Sequence, residues 1–345
     1  MSAGARRVLT LPLFWPCVTL ALLIVLNATV NPGFLALEWR DGHLYGNLID
    51  ILNRAAPLAL VATGMTLVIA ARGLDISVGA VVAIAAATAA LCVSATSSLG
   101  AAIVAALAVA LACGLWNGLL VVAVGMQPII ATLILMVAGR GIAQLITGGQ
   151  IITIYYPPYD YLGNGFLLGL PFAAVLAVAV IVALHALLTV TPLGLFIRAI
   201  GINPLAARIA GVRARPITLA LYGFCGLAAG IAGLIISSNV KSADANNAGT
   251  LLELDAILAV TLGGTALTGG RFSLAGTAIG ALIIQTLTST IYSLGVPPEV
   301  NLVFKAALIF VVMLLQSAEF RASIRQFAMR PADLTEVSKA AGPSA

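Results

Sequence analysis

Apolar residues in this chain come in long, nearly unbroken runs rather than in stripes or alternation. Ten such segments run roughly over 11–30, 55–71, 76–97, 101–124, 128–147, 166–190, 217–238, 255–270, 274–293 and 301–318. Most approach the ~20 residues that carry a helix across a bilayer, and all exceed a barrel strand of about ten. Polar punctuation separates them. Asn31-Pro32-Gly33 ends the first, Asp75 and Ser77 stand at the head of the third as caps, Gln127-Pro128 opens the fifth, and Pro297-Pro298 precedes the tenth. The eighth is interrupted by Gly263-Gly264 and Gly269-Gly270. A broken segment is therefore expected near 255–270, since irregular backbone at that depth is tolerated only inside protein or beside a wet cavity.

Composition agrees with this pattern. Of 345 residues, 61% are hydrophobic and 8% charged, against about 25% charged in a soluble domain. That scarcity excludes a soluble enzyme, a nucleic-acid-binding domain and a disordered chain. The reading is an all-α polytopic membrane protein with about ten transmembrane segments. Cys17, Cys92, Cys113 and Cys225 lie singly in apolar runs, so neither a disulfide frame nor a metal site is indicated.

Lys and Arg give the orientation. With the N-terminus inside, 12 of the 17 basic residues fall on the inner face, four outside (Arg40, Arg54, Lys241, Lys305), and Arg140 within a span. This positive-inside split places both termini of the multi-pass protein in the cytoplasm. Residues 1–10 and 319–345 are then cytoplasmic tails around one transmembrane domain, 11–318. Arg6-Arg7 before an apolar run is also the opening of a signal peptide, but no cleavage site follows and the run is long enough to anchor. Tyr155, Tyr156, Tyr159 and Tyr161 fall at the outer interface.

Gly73–Gly79 and Gly270–Gly276 each lead into a small-residue helix, and Gly125-Met126-Gln127-Pro128 is echoed by Gly295-Val296-Pro297-Pro298. These echoes read as an internal repeat of the kind transporters use. Chance matches among 34 glycines are the rival reading. The largest inner loop, 191–216, holds a short helix capped by Asn203, opened by Pro204 and closed by Gly211. Too short to be stable alone, with Leu205, Ala206, Ile209 and Ala210 on an apolar surface, it either docks a soluble partner or lies in the interface held by headgroups and Arg208.

The stretch Gly194–Val212 resembles the coupling loop of permeases from ribose-type sugar ABC importers. Gly64–Gly79 and Glu253–Gly270 are similar to two further blocks of that family, in the same order, and the likeness runs from about 45 to 320. Asp41–Pro57 and Ala243–Gly249 resemble its galactofuranose-type branch. One departure stands out: Arg72 replaces the first glycine of the family's usual Gly-Gly pair, while Gly73 is kept. The resemblance implies a path-forming subunit. It also implies a cytosolic ATP-binding cassette subunit docked through Gly194, Arg198, Gly201, Asn203, Ala207, Arg208 and Gly211, a periplasmic sugar-binding protein, and a second permease, identical or paralogous. The chain would bind no cofactor, with ATP used by the partner. The chain's own residues agree, since it has no Gly-x-x-x-x-Gly-Lys-[Ser/Thr] loop.

Polar groups inside spans face a cavity or a partner helix. Candidates for the path are Asn117, Thr132, Arg140, Gln144 and Gln285. For Arg140 the rival readings are a salt bridge to Asp75 or Asp255, or snorkelling; for Asn117 and Gln285, interhelical bonding. Asp75, Ser77, Glu253 and Asp255 read first as helix caps. For the last two, a contact to the binding protein or to Arg140 is the sharper alternative. Gly263, Gly264, Gly269 and Gly270 serve close packing or gating. His185 reads as a satisfied core histidine. The alternative function is an ion-coupled secondary transporter, disfavoured because acids sit at segment ends. A membrane enzyme lacks any catalytic constellation.

Overall fold

The computed structural model describes residues 13–40, 42–295 and seven positions between 300 and 314. Both tails, Pro297-Pro298 and most of the expected tenth segment, 301–318, lie outside the described residues. The elements are, in order, α1 (Phe14–Val30), β1 (Glu38–Arg40), β2 (His43–Tyr45), α2 (Asn47–Ala70), α3 (Val78–Thr96), α4 (Leu99–Leu119), α5 (Pro128–Thr147), β3 (Ile152–Thr153), α6 (Pro157–Asn164), β4 (Phe166–Leu167), β5 (Leu170–Pro171), α7 (Phe172–Val190), α8 (Leu193–Ile202), α9 (Pro204–Ile209), α10 (Ala214–Asn239), β6 (Ser242–Ala243), α11 (Leu252–Leu262) and α12 (Leu274–Ser293).

Seven of these helices, α2, α3, α4 (extended by a π turn to Val124), α5, α7, α10 and α12, are long and apolar enough to cross a membrane. Two expected spans are shorter. α1 has 17 residues. The eighth segment is an 11-residue helix ending at Leu262, followed by a turn in which Gly264, Gly269 and Gly270 all have positive φ. The run 166–190 also splits, because Gly165, Gly169 and Pro171 set a tight β4–β5 hairpin ahead of α7. Conversely, α2 starts at Asn47, eight residues ahead of the apolar run, and continues through Pro57.

α2, α3 and α10 form the centre, and α4, α5 and α7 expose most of their apolar surface. Small residues make this possible. α3 is rich in alanine and mostly buried. A Cβ on Gly64 of α2 would stand 2.9 Å from the Cα of Cys225 on α10, and one on Gly226 would reach within 2.9 Å of the Cα of Gly114 on α4. Without a hydrophobic drive between helices in lipid, backbone approach of this kind supplies the packing. Thr66 on α2 and Thr277 on α12 share a buried hydroxyl bond of 2.7 Å.

Short sheets tie the loops at one end. β3 pairs with β6, and the β1–β2 hairpin joins β4–β5 through a Leu44 N–H to Gly169 carbonyl bond of 2.9 Å and a His43–Phe166 stack. There α6 lies on the end of α10: Ser238 donates to the Tyr159 carbonyl at 2.7 Å and accepts from the Gly163 N–H at 2.8 Å. The tyrosines divide accordingly. Tyr155 is exposed, but Tyr159 is buried and shares a 2.7 Å bond with Ser237, so it is a packing residue rather than an interfacial one.

Candidate functional site

Two polar clusters and one backbone junction gather most of the residues singled out by the sequence. The first cluster surrounds the turn between α2 and α3. Asp75 is buried, and its Oδ1 accepts from the Ser77 N–H (3.0 Å), the Ser77 hydroxyl (2.6 Å) and Asn117 Nδ2 (3.3 Å); Asn117 also donates to Ser77 Oγ at 2.8 Å. Thr132 of α5 bonds both the Ile76 N–H and the Leu74 carbonyl. Tyr222 of α10 donates to that carbonyl at 3.4 Å. Ser77 stands at the N-cap of α3 but makes no side-chain cap, because its hydroxyl is committed to Asp75. Asn117 and Thr132 are fully buried, so in this conformation they set the turn rather than face open space. The Asn117 amide oxygen is buried without a partner among the described residues.

The second cluster lies across α5, α11 and the 244–249 loop. Arg140 donates to the Ala248 carbonyl at 2.5 Å and to that of Ala245 at 3.5 Å, and Gln144 donates to Asn246 Oδ1 at 2.6 Å. Arg140 is thus tied to the backbone of the 244–249 loop. Its acidic neighbour is the buried Glu253: a Cβ on Gly79 would stand 3.4 Å from Arg140 Nη2 and would run into Glu253 Oε2. Gly79 is thus the residue whose lack of a side chain lets α3 pack against Glu253 and the 244–249 loop. Leu251 holds the N-cap position of α11 and its side chain makes no cap, so Glu253 and Asp255 stand in the helix's first turn. Gln285 lies half-buried on α12 and joins neither cluster.

Below the first cluster, three backbones meet. Gly270 N–H donates to the Ala70 carbonyl at 2.9 Å. Gly201, at the end of α8, packs on both; a Cβ there would stand 2.8 Å from Gly270 Cα and would run into Ala70 O. Arg72 donates from Nε to the Gly201 carbonyl and from Nη2 to that of Ile202, each at 2.7 Å. Gly263 packs on the backbone of Gly276, whereas Gly264, Gly269 and Gly270 supply positive φ. The glycine pairs thus divide between packing and turn geometry. A cavity of about 320 Å³ opens beside the junction, lined by Arg72, Gly73, Leu74, Gln127 and Leu267 among others.

The 191–216 loop folds as its residues indicate. Asn203 Oδ1 accepts from the N–H groups of Leu205 and Ala206, both at 3.1 Å, Pro204 opens α9, and Gly211 follows it at φ +85°. Gly194 and Ala207 are buried, while Leu195, Ile202, Leu205 and Ile209 are exposed. Arg208 is in the last turn of α9. Arg198 stands over the Phe272 ring at 5.2 Å and helps wall a cavity of about 400 Å³ with His185, Thr189 and Ser273. His185 is exposed there and is not a core histidine.

The sequence missed Arg72 as a contact residue and Gly79 as a spacer. The signal for Arg72 was its place in a glycine pair.

The chain matches, over residues 47–313, the family model described as branched-chain amino acid transport system / permease component. The galactofuranose transporter permease of Escherichia coli (strain K12) is 49% identical over 316 residues, covering 90% of this chain and 93% of the relative. The fructose import permease of Bifidobacterium longum is 41% identical (90% and 89% covered), and the ribose import permease of Escherichia coli (strain K12) 36% (87% and 92%). No solved structure matches. Helices of membrane-crossing length, a family match over most of the chain and near full-length likeness to import permeases agree: this multi-pass membrane protein belongs to the permease-component family of branched-chain amino acid transport systems.

Proposed function

We propose that this chain is the membrane-spanning permease subunit of an ATP-driven importer, and that its cargo is a monosaccharide of the galactofuranose or ribose kind. The observation that carries this reading is the 49% identity to a galactofuranose permease over 90% of the chain. Although the family description names amino acids, the most similar relatives described above carry sugars.

The cytosolic ATPase docks on the 191–216 loop. Exposed Leu195, Ile202, Leu205 and Ile209 on two short helices support this, because such a face outside the long helices wants a partner. A periplasmic binding protein delivers the sugar, and a second permease, identical or paralogous, completes the path. In our reading the chain has ten spans, counting α1, the broken α11 segment and 301–318, with both termini in the cytoplasm of a bacterial inner membrane. The two helix–turn–helix units α2–α3 and α11–α12 are repeats; the Thr66–Thr277 and Ala70–Gly270 bonds between them support that view. Arg140, Gln144 and Gln285 remain candidates for the path, joined by Asn117 and Thr132 once the α2–α3 turn moves. No cofactor is held by this chain.

Sugar binding to the permease itself is weak, since a pore must release what it admits. The test is uptake of labelled sugar into vesicles holding the permeases and ATPase, with and without binding protein. Uptake that needs both ATP and the binding protein supports the proposal. One observation favours an ion-coupled carrier instead: Asp75 and Glu253 are both buried carboxylates. Uptake driven by a proton or sodium gradient without the ATPase would establish that alternative.

A further inference from the structure

Arg72 has a left-handed backbone, φ +64°, the conformation that glycine adopts without cost and other residues avoid. A side chain persists in such a place when its surroundings hold it there. Here the hold is explicit. The guanidinium donates to the carbonyls of Gly201 and Ile202, the last two residues of α8, where helical carbonyls lack partners and a cation is favoured. Gly269 leaves room for its stem: a Cβ there would stand 2.8 Å from Arg72 Cγ.

The same turn continues into the buried cluster. Two residues on, the Leu74 carbonyl accepts from Thr132, and the Ile76 N–H donates to it. Between them Asp75 holds Ser77 and Asn117. Residues 72–77 therefore grip the end of α8 on one side and polar side chains of α4 and α5 on the other. We propose that Arg72 is a positioning residue for transport, tying α8 to the 72–77 turn so that a displacement of α8 is passed to Asn117 and Thr132. This rests on the reading of the 191–216 loop as the ATPase docking site.

Arg72→Gly separates the two roles that the residue can have. It relaxes the left-handed backbone and removes both bonds to α8. Arg72→Lys keeps the charge and reaches one carbonyl. Both are tested in the full transporter in vesicles, reading sugar imported per ATP hydrolysed, and in detergent, reading the melting temperature. The expected result for Arg72→Gly is normal insertion, a melting temperature close to the parent's, and a fall of at least about fivefold in sugar imported per ATP, with Lys intermediate. An unchanged ratio in Arg72→Gly overturns the proposal. So does failure of Arg72→Gly to insert or melt normally, since the bonds would then serve the fold. Absence of ATP-driven uptake by the parent protein overturns the docking reading itself, and this proposal with it.

Discussion

Gly201→Val is the sharpest test of the junction between α2, α8 and the 263–273 turn. A Cβ at 201 would stand 2.8 Å from Gly270 Cα. Carbon atoms rest at about 3.5–4.0 Å and the Ala70 carbonyl oxygen is nearer still, so the end of α8 must retreat by at least about 0.7–1.2 Å. That movement opens the Gly270–Ala70 bond and stretches both bonds from Arg72. A neutral hydrogen bond contributes about 0.5–1.5 kcal/mol and one to a charged group about 1.5–3, but Arg72 is exposed, so solvent reduces its share. A total of about 2–4 kcal/mol follows for the variant, applied at the point where the docking loop meets the bundle. The assay is ATP hydrolysis by the assembled transporter with and without sugar-loaded binding protein, alongside insertion measured by membrane fractionation. The expected outcome is an inserted protein whose stimulated hydrolysis falls at least about tenfold. Gly141→Ala on α5, where a Cβ meets nothing within 4 Å, is the control and should behave as the parent. Full stimulation in Gly201→Val would refute the reasoning.

Asp75→Ala removes the acceptor shared by Ser77 and Asn117 and should cost about 2–4 kcal/mol, read as a lower melting temperature in detergent, with Asp75→Asn milder. Arg140→Gln frees the Ala248 carbonyl and the 244–249 loop; sugar uptake should fall about tenfold or more while insertion is retained, and uptake equal to the parent's would discount that cluster. Asn203→Ala deletes the cap of α9 and should cost about 0.5–2 kcal/mol locally, detected as faster amide exchange over 204–209. The loops ending the α6 side of the molecule should loosen in acid. Partial burial works against the charge of Asp160, but the Asn164 amide and the Lys241 ammonium outweigh it and hold its carboxyl below the usual range; the Asn247 amide does the same for Asp244. Depressed carboxylates contribute stability that is complete above their unfolded value, about 3.9, and is lost as pH falls below it. Amide exchange over 160–164 and 241–247 should therefore rise only below that value.

Boundaries marked by local chemistry were legible: Pro128 opening α5, Asn203 capping α9, Asn31-Pro32-Gly33 ending α1, and the glycines that break the segment after Leu262. What stayed hidden were contacts to backbone. Arg140 and Arg72 both end on carbonyls, which every residue type carries, so no pairing of side chains in the sequence could announce them. Arg72 and Gly201 are also 129 positions apart. The partners of Asp75 were hidden for a related reason. An acid beside a serine at a helix start reads as a cap, and only the packing of α4 and α10 around the turn makes it a buried acceptor for Ser77 and Asn117. His185 erred the other way, because α7 leaves most of its surface uncovered.

The meeting of Ala70, Gly201 and Gly270 is built almost wholly from main chain, and this shapes what mutation can do there. Amides and carbonyls are the same whatever the neighbouring codons specify, so drift in flanking residues leaves the geometry intact. A saturation library should then show two kinds of position side by side. Column 201 should tolerate nothing beyond hydrogen and column 270, at φ +86°, should favour glycine strongly, while exposed positions such as 205 and 209 grade smoothly with side-chain size and polarity. Position 72, whose side chain makes the bonds to α8, should instead grade with the number of donors it offers.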